Sequence, residues 1–110
     1  MPGRVVFGVG RIERLGDEVA RLGARRALVL STPGGKTRAE AVSKHLEGRI
    51  AGLHARAVMH VPIETARAAS EEARRVGADC VVAIGGGSPI GLAKAIALEL
   101  GLPIVAVPTT

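Results

Sequence analysis

The sequence predicts an α/β domain built on a mostly parallel sheet flanked by helices. Three short apolar runs, Ala27-Leu-Val-Leu30, Cys80-Val-Val-Ala-Ile84 and Ile104-Val-Ala-Val107, are continuous instead of alternating, the pattern of strands covered on both faces, so they belong in the sheet interior. Stretches with helical spacing separate the strand-like runs, and that alternation implies right-handed βαβ crossovers. A cluster of three glycines follows the second run directly.

Taken in order, Arg4-Val-Val-Phe7 is a short strand, closed by Gly8-Val-Gly10. It lacks the length of the interior runs and is expected at the periphery, paired antiparallel or with another subunit. Ile12, Leu15, Val19 and Leu22 recur at spacings of three, four and three, one apolar stripe of a helix that Gly23 ends as its C′ residue. Ser31-Thr-Pro-Gly-Gly35 forms a loop after the Ala27 strand, and Thr37 to Leu46 a helix with Ala41, Val42 and Leu46 inward. Ala55 to His60 reads as a weaker strand, Glu64 to Val76 as a helix stopped by Gly77, and Ser88 to Leu100 as a helix stopped by Gly101. The acids and arginines Glu64, Arg67, Glu71, Glu72, Arg74 and Arg75 read as that middle helix's solvated face.

A chain of 110 residues buries roughly 65% of its unfolded surface, so one core suffices without disulfides or a metal staple. The single Cys80 excludes an internal disulfide framework and fits a reducing compartment; its place at the start of a buried-type strand makes it a small core residue. No apolar run approaches the ~20 residues of a membrane span, and the expected location is the cytoplasm. The net charge of +5 comes from 12 Arg and 3 Lys scattered among 10 acids, with no Trp or Tyr. Without a basic block or stacking aromatics, nucleic acid is not the expected partner. A mildly basic surface suits phosphorylated or carboxylate ligands instead.

The most informative stretch is Asp79-Cys-Val-Val-Ala-Ile-Gly-Gly-Gly-Ser-Pro-Ile-Gly-Leu-Ala-Lys94. A strand runs into three glycines, then Ser88 as N-cap and Pro89 at the first helical position. Glycines let backbone N–H groups approach an anion, and the helix start adds unpaired N–H groups and roughly half a positive charge, which suits a pyrophosphate. The spacing is not the dinucleotide fingerprint, which would place glycine at Ile90, and no G-K-[ST] follows to make a P-loop. Phosphate or dinucleotide binding and a tight turn merely capped by Ser88 therefore both remain open from spacing alone.

Gly85-Gly-Gly-Ser88 with Leu92-Ala-Lys94, followed about twenty residues on by Leu102-Pro-Ile-Val-Ala-Val-Pro-Thr-Thr110, resembles the nucleotide-binding half of the iron-containing alcohol dehydrogenase superfamily, which shares its fold with dehydroquinate synthase. Val5-Val-Phe-Gly-Val-Gly10 and Arg26-Ala-Leu-Val-Leu-Ser-Thr32 are also similar to it. The resemblance implies a Rossmann-like fold, the N-terminal half of a dehydroquinate synthase-like fold, with residues 1–110 an NAD(P)-binding domain. The chain halts just after a buried-type strand, where half a ligand site would be built, so it is expected to be the amino-terminal portion of a longer protein. Gly91 replaces the superfamily's usual Asp, which looks like the maleylacetate reductase branch, and Val61-Pro62 stands where many members carry Asn-Pro.

By that resemblance, Gly86, Gly87 and Ser88 contact the pyrophosphate of NAD or NADP, Thr109 and Thr110 place hydroxyls beside it, and Ser31 and Thr32 contact the adenosine ribose. No acid stands at Thr32 to accept a ribose 2′-hydroxyl and repel a 2′-phosphate, so both coenzymes stay open. The superfamily's metal ligands lie in a helical second domain, and His45, His54 and His60 do not stand at their motif positions; the expectation for residues 1–110 is no metal. His60 reads as a structural or surface histidine, and Lys94 as a surface lysine or a ligand contact. The implied reaction is reduction of the carbon–carbon double bond of maleylacetate to 3-oxoadipate in aromatic-compound degradation, by a homodimer, with the substrate's carboxylates held mostly by the second domain and no catalytic residue assignable here. The alternatives are a metal-dependent alcohol dehydrogenase of the same superfamily and a stand-alone, non-catalytic nucleotide- or phosphate-binding module.

Overall fold

The computed structural model describes residues 5–6, 15–46, 48–57, 63–85 and 87–107. Five strands, β1 (Val5–Val6), β2 (Ala27–Leu30), β3 (Ile50–His54), β4 (Cys80–Ile84) and β5 (Ile104–Val107), form one sheet in the order β1-β5-β4-β2-β3. Every pairing is parallel. The helices are α1 (Leu15–Arg21), α2 (Lys36–Ser43), α3 (Ile63–Arg75) and α4 (Gly87–Leu100), with 3₁₀ turns at Pro33–Gly35 and Lys44–Leu46.

The three continuous apolar runs occupy the interior as expected, and all thirteen of their residues are buried. Alternate strand residues point to opposite faces. Val29, Val82 and Val105 join Leu15 and Val19 of α1 and Ala39 and Val42 of α2. Leu28, Val81 and Ile104 join Ala69 and Ala73 of α3 and Leu92 and Ile96 of α4. This division follows from topology. The steps β1 to β2 and β2 to β3 run one way across the sheet, and the steps β3 to β4 and β4 to β5 run back; crossovers of one hand must then lie on opposite faces.

Several expectations are corrected. A strand lies at Ile50–His54, and residues 55–57, the described part of the expected Ala55 to His60 strand, are irregular. Strand β3 is an edge strand with mixed burial, Ile50 being 36% exposed, so it has no continuous apolar run. At its centre a Cβ on Gly52 would stand 3.6 Å from Leu28 and 3.9 Å from Val76. Residues 58–60, His60 among them, lie outside the described residues. Val5 and Val6 form a peripheral strand, but it pairs parallel with β5 and not antiparallel; Phe7 and Ile12 fall outside the described residues. In α2 the buried side is Ala39, Val42 and, in the following turn, Leu46, while Ala41 is exposed. Helix α4 begins at Gly87, so Ser88 and Pro89 sit inside its first turn instead of at the cap and first position. Proline is still tolerated there, because first-turn N–H groups have no intrahelical partner. Gly23, Gly77 and Gly101 end α1, α3 and α4 at φ of 73°, 68° and 71°, as their spacing suggests.

Candidate functional site

Parallel strands send all their outgoing loops to one edge of the sheet, and here the register brings three of them level. Leu30 of β2 lies beside Ala83 of β4, and Ile84 beside Val107 of β5. Beyond these pairs, the Gly85 N–H donates to the Val107 carbonyl at 3.0 Å. From β2 the chain leaves toward β3 through α2 on one face, and from the adjacent β4 it leaves toward β5 through α4 on the other. The gap between the ends of β2 and β4 is therefore a topological switch point, the place where open α/β sheets bind ligands. Strand order is non-local, so the sequence alone did not place it.

On the β4 side, Gly85 turns the chain at φ of 119°, a conformation side chains rarely adopt, with Pro89 packed 3.5 Å from where its Cβ would stand. Its glycine is a requirement of the turn. Gly87 differs. It is exposed, its φ is ordinary, and a Cβ built there meets nothing within 4 Å, so neither backbone nor packing demands a glycine. What its missing side chain leaves is free space over the first turn of α4, whose N–H groups at Gly87 and Ser88 have no intrahelical acceptor. Pro89 is buried and Ser88 half-buried. Gly86, Thr109 and Thr110 lie outside the described residues.

On the β2 side, Ser31 is fully buried. Its N–H donates to the His54 carbonyl at 3.1 Å, its carbonyl accepts from Ala57 N–H at 3.0 Å, and its Oγ donates to the Thr32 carbonyl at 2.9 Å. Ser31 thus ties the ends of β2 and β3 and shapes the turn. Thr32 is half-buried above it, and its Oγ1 accepts the Gly35 N–H at 3.0 Å, an ST-type cap of the 3₁₀ turn.

The electrostatics favour an anion in this gap. Helices α1 and α3 carry acids in their first turns, Asp17 and Glu18 in one and Glu64 in the other. The two helices flanking the switch point, α2 and α4, carry none, so the positive ends of their dipoles are left uncompensated. Lys94 and Gly91 are exposed farther along α4, and a Cβ at Gly91 also meets nothing within 4 Å.

Two further titratable groups have environments of their own. Cys80 is a buried core residue whose thiol is pushed up to about 12, first by burial and then by the neighbouring Asp79 charge. Glu72 corrects the expectation of a wholly solvated α3 face: its Oε2 lies 2.8 Å from Nδ1 of the buried His54, whose Nε2 has no partner among the described residues. These two are 18 positions apart in the chain, and no local pattern marks them as a pair. His45 is half-buried. No helix among the described residues is long and apolar enough to cross a membrane.

Comparison with known proteins gives this architecture a family. Residues 2–110 match the family model described as iron-containing alcohol dehydrogenase. The chain is 59% identical to a maleylacetate reductase of Burkholderia cepacia over 97% of its length, which is 30% of that relative. It is 51% identical over its whole length to one from Sphingobium indicum, covering 31% of it. The crystal structure of maleylacetate reductase from Agrobacterium tumefaciens superposes with a TM-score of 0.89 at 48% identity, over 99% of this chain and 31% of that one. The chain thus spans about 30% of the length of these relatives. With the parallel sheet, the glycine-rich turn after β4 and a family match over residues 2–110, the chain belongs to the iron-containing alcohol dehydrogenase family.

Proposed function

We propose that these residues form the coenzyme side of an NAD(P)H-dependent maleylacetate reductase, which reduces the carbon–carbon double bond of maleylacetate to give 3-oxoadipate. The observation that carries the coenzyme reading is Gly87, a glycine that neither its φ nor its packing requires, at the helix start beside the switch point. The substrate reading is supported by the relatives named maleylacetate reductase at 59% and 51% identity.

Bound NADH or NADPH would supply the hydride. Gly87 and Ser88 hold its pyrophosphate through first-turn N–H groups, together with Gly86; Thr109 and Thr110 add hydroxyls to the coenzyme contacts, and Thr32 meets the adenosine ribose with Ser31 fixing the turn from below. The charge that develops on the keto acid is stabilised by fixed protein donors, and the dicarboxylate is held mainly by a second domain. In this reading the protein is a cytoplasmic homodimer.

The family name implies iron, but no three His, Cys, Asp or Glu side chains come together among the described residues, so these residues do not fit a metal centre.

The test is oxidation of NADH or NADPH with maleylacetate by the protein that carries this chain, with and without chelator. Turnover that survives chelation is the expected result. Activity lost on chelation and restored by iron or zinc would move the protein to the alcohol-oxidising branch, and no turnover of maleylacetate with either coenzyme would overturn the reading.

A further inference from the structure

Strand β3 pairs with β2 alone. Its first residue, Ile50, is exposed, yet its last, His54, is buried. His54 stands in register with Leu30, which is buried on the face that α3 and α4 cover, and its ring reaches that layer: Nδ1 lies 2.8 Å from Oε2 of Glu72, a half-buried acid of α3. Nε2 has no partner among the described residues, a cost that an apolar side chain of similar size would avoid. Packing therefore does not explain a histidine at this position. Its backbone supplies a reason. The His54 carbonyl accepts the Ser31 N–H at 3.1 Å, and the Ser31 carbonyl accepts the Ala57 N–H at 3.0 Å, so the bonding between β2 and β3 runs one step past Leu30 and stops at the residue before Thr32. From there it passes into the turn, where Ser31 Oγ donates to the Thr32 carbonyl at 2.9 Å and Thr32 Oγ1 accepts the Gly35 N–H at 3.0 Å.

The geometry points to Glu72 and His54 as positioning residues for the coenzyme: the pair anchors the end of the edge strand to α3, and through Ser31 it holds the Thr32 turn in the shape that receives the adenosine ribose. This inference rests on the dinucleotide reading given above. An edge-strand end tied to one neighbour opens more readily than an interior one, and the Glu72 carboxylate supplies the second tie. The adenosine end of a dinucleotide is remote from the carbon that gives up hydride, so contacts there serve ground state and transition state alike. Loosening the turn should then weaken coenzyme binding and leave the chemical step as it was.

The experiment measures the Kd for NADH by calorimetry, and kcat with maleylacetate at saturating NADH, on the protein that carries this chain and on its Glu72→Ala, Glu72→Asp and Glu72→Gln variants, with circular dichroism confirming that each is folded. Glu72→Ala should raise the Kd by about three- to tenfold, the net worth of one hydrogen bond. Glu72→Asp keeps the charge but is one methylene too short for the contact, and it should do the same. Glu72→Gln loses the charge but keeps an oxygen that accepts the Nδ1–H, and it should restore most of the affinity. In all three kcat should hold. A Kd unmoved in folded Glu72→Ala and Glu72→Asp, with NADH still bound, overturns the role of the pair and leaves the dinucleotide reading standing. So does a Glu72→Gln that binds as weakly as Glu72→Ala, a loss that falls on kcat instead of Kd, or failure of both Glu72→Ala and Glu72→Asp to fold, which would make the contact a requirement of the fold alone. Failure of the unaltered protein to bind either NADH or NADPH overturns both.

Discussion

The Asp79 carboxylate holds the backbone just before β2: Oδ1 accepts the N–H of Arg26 and Oδ2 that of Arg25, each at 2.8 Å. In return the Arg26 guanidinium donates from Nε and Nη2 to the Val76 carbonyl at 2.8 and 2.6 Å, closing the C-terminal end of α3, and the Asp79 N–H donates to the Arg26 carbonyl at 2.9 Å. One side-chain exchange thus sets where two central strands begin, and through their register where their far ends meet.

Asp79→Ala is expected to lower stability by about 1–2 kcal/mol, the lower part of the range for paired hydrogen bonds to a charged group because the site is solvent-accessible. Urea denaturation measures it, and a midpoint equal to that of the unaltered chain would contradict the role assigned to the carboxylate.

The His54–Glu72 contact makes two adjacent acids on α3 unequal. Glu72→Ala removes the only partner of the buried His54 ring among the described residues and should cost about 1–3 kcal/mol, the penalty of a buried polar group left unpaired. Glu71 is exposed, and Glu71→Ala should stay within about 0.5 kcal/mol of the parent. Equal midpoints for the two variants would contradict the contact.

How much of this was legible follows from which interactions are local. Strands β2, β4 and β5 announced themselves because burial on both faces leaves no polar alternation to interrupt them, whereas β3 did not, because an edge strand with Ile50 half in water and Gly52 at its centre carries no such run. The glycine-rich turn was legible as an anion-suited helix start, but its cap was misplaced by a residue or two because local preference alone does not separate Gly87 from Ser88 as the first helical residue. The switch point, the His54–Glu72 pair and the Asp79 clasp join residues 18 to 54 positions apart, and no periodicity encodes them.

Cys80 gives a pH dependence with a definite sign. Folding holds its thiol protonated up to about 12, while in the unfolded chain it titrates near its ordinary value of about 8.5. Between those values the unfolded state has lost a proton that the native state keeps, so stability is intact below about pH 8.5 and falls through the window above it, by at most about 1.4 kcal/mol per pH unit. Cys80→Ala should be less stable at neutral pH through lost packing, yet show a shallower decline between about pH 8.5 and 10.5. Parallel declines would remove the thiol from the account, and so would rapid alkylation of native Cys80 near pH 8.

Gly85 and Gly87 lie two residues apart and should fail in opposite ways. At Gly85 the φ of 119° and the Pro89 ring 3.5 Å from a would-be Cβ make any side chain strained, so Gly85→Ala is expected to destabilise the fold by about 1–3 kcal/mol. At Gly87 the backbone is ordinary and the space around a Cβ empty, so Gly87→Val should cost less than about 1 kcal/mol, the difference in helix propensity being small. Its effect falls on the ligand instead: branched methyl groups over the first turn of α4 occupy the space through which a pyrophosphate reaches the N–H groups, and NADH binding should be lost by about a hundredfold or more, the equivalent of roughly 2.7 kcal/mol. Calorimetry with NADH and a denaturation curve on each variant separate the two effects. If Gly87→Val bound NADH as tightly as the unaltered protein, the coenzyme would lie elsewhere, and if it unfolded while Gly85→Ala did not, the distinction between a glycine kept for the turn and one kept for the ligand would be reversed.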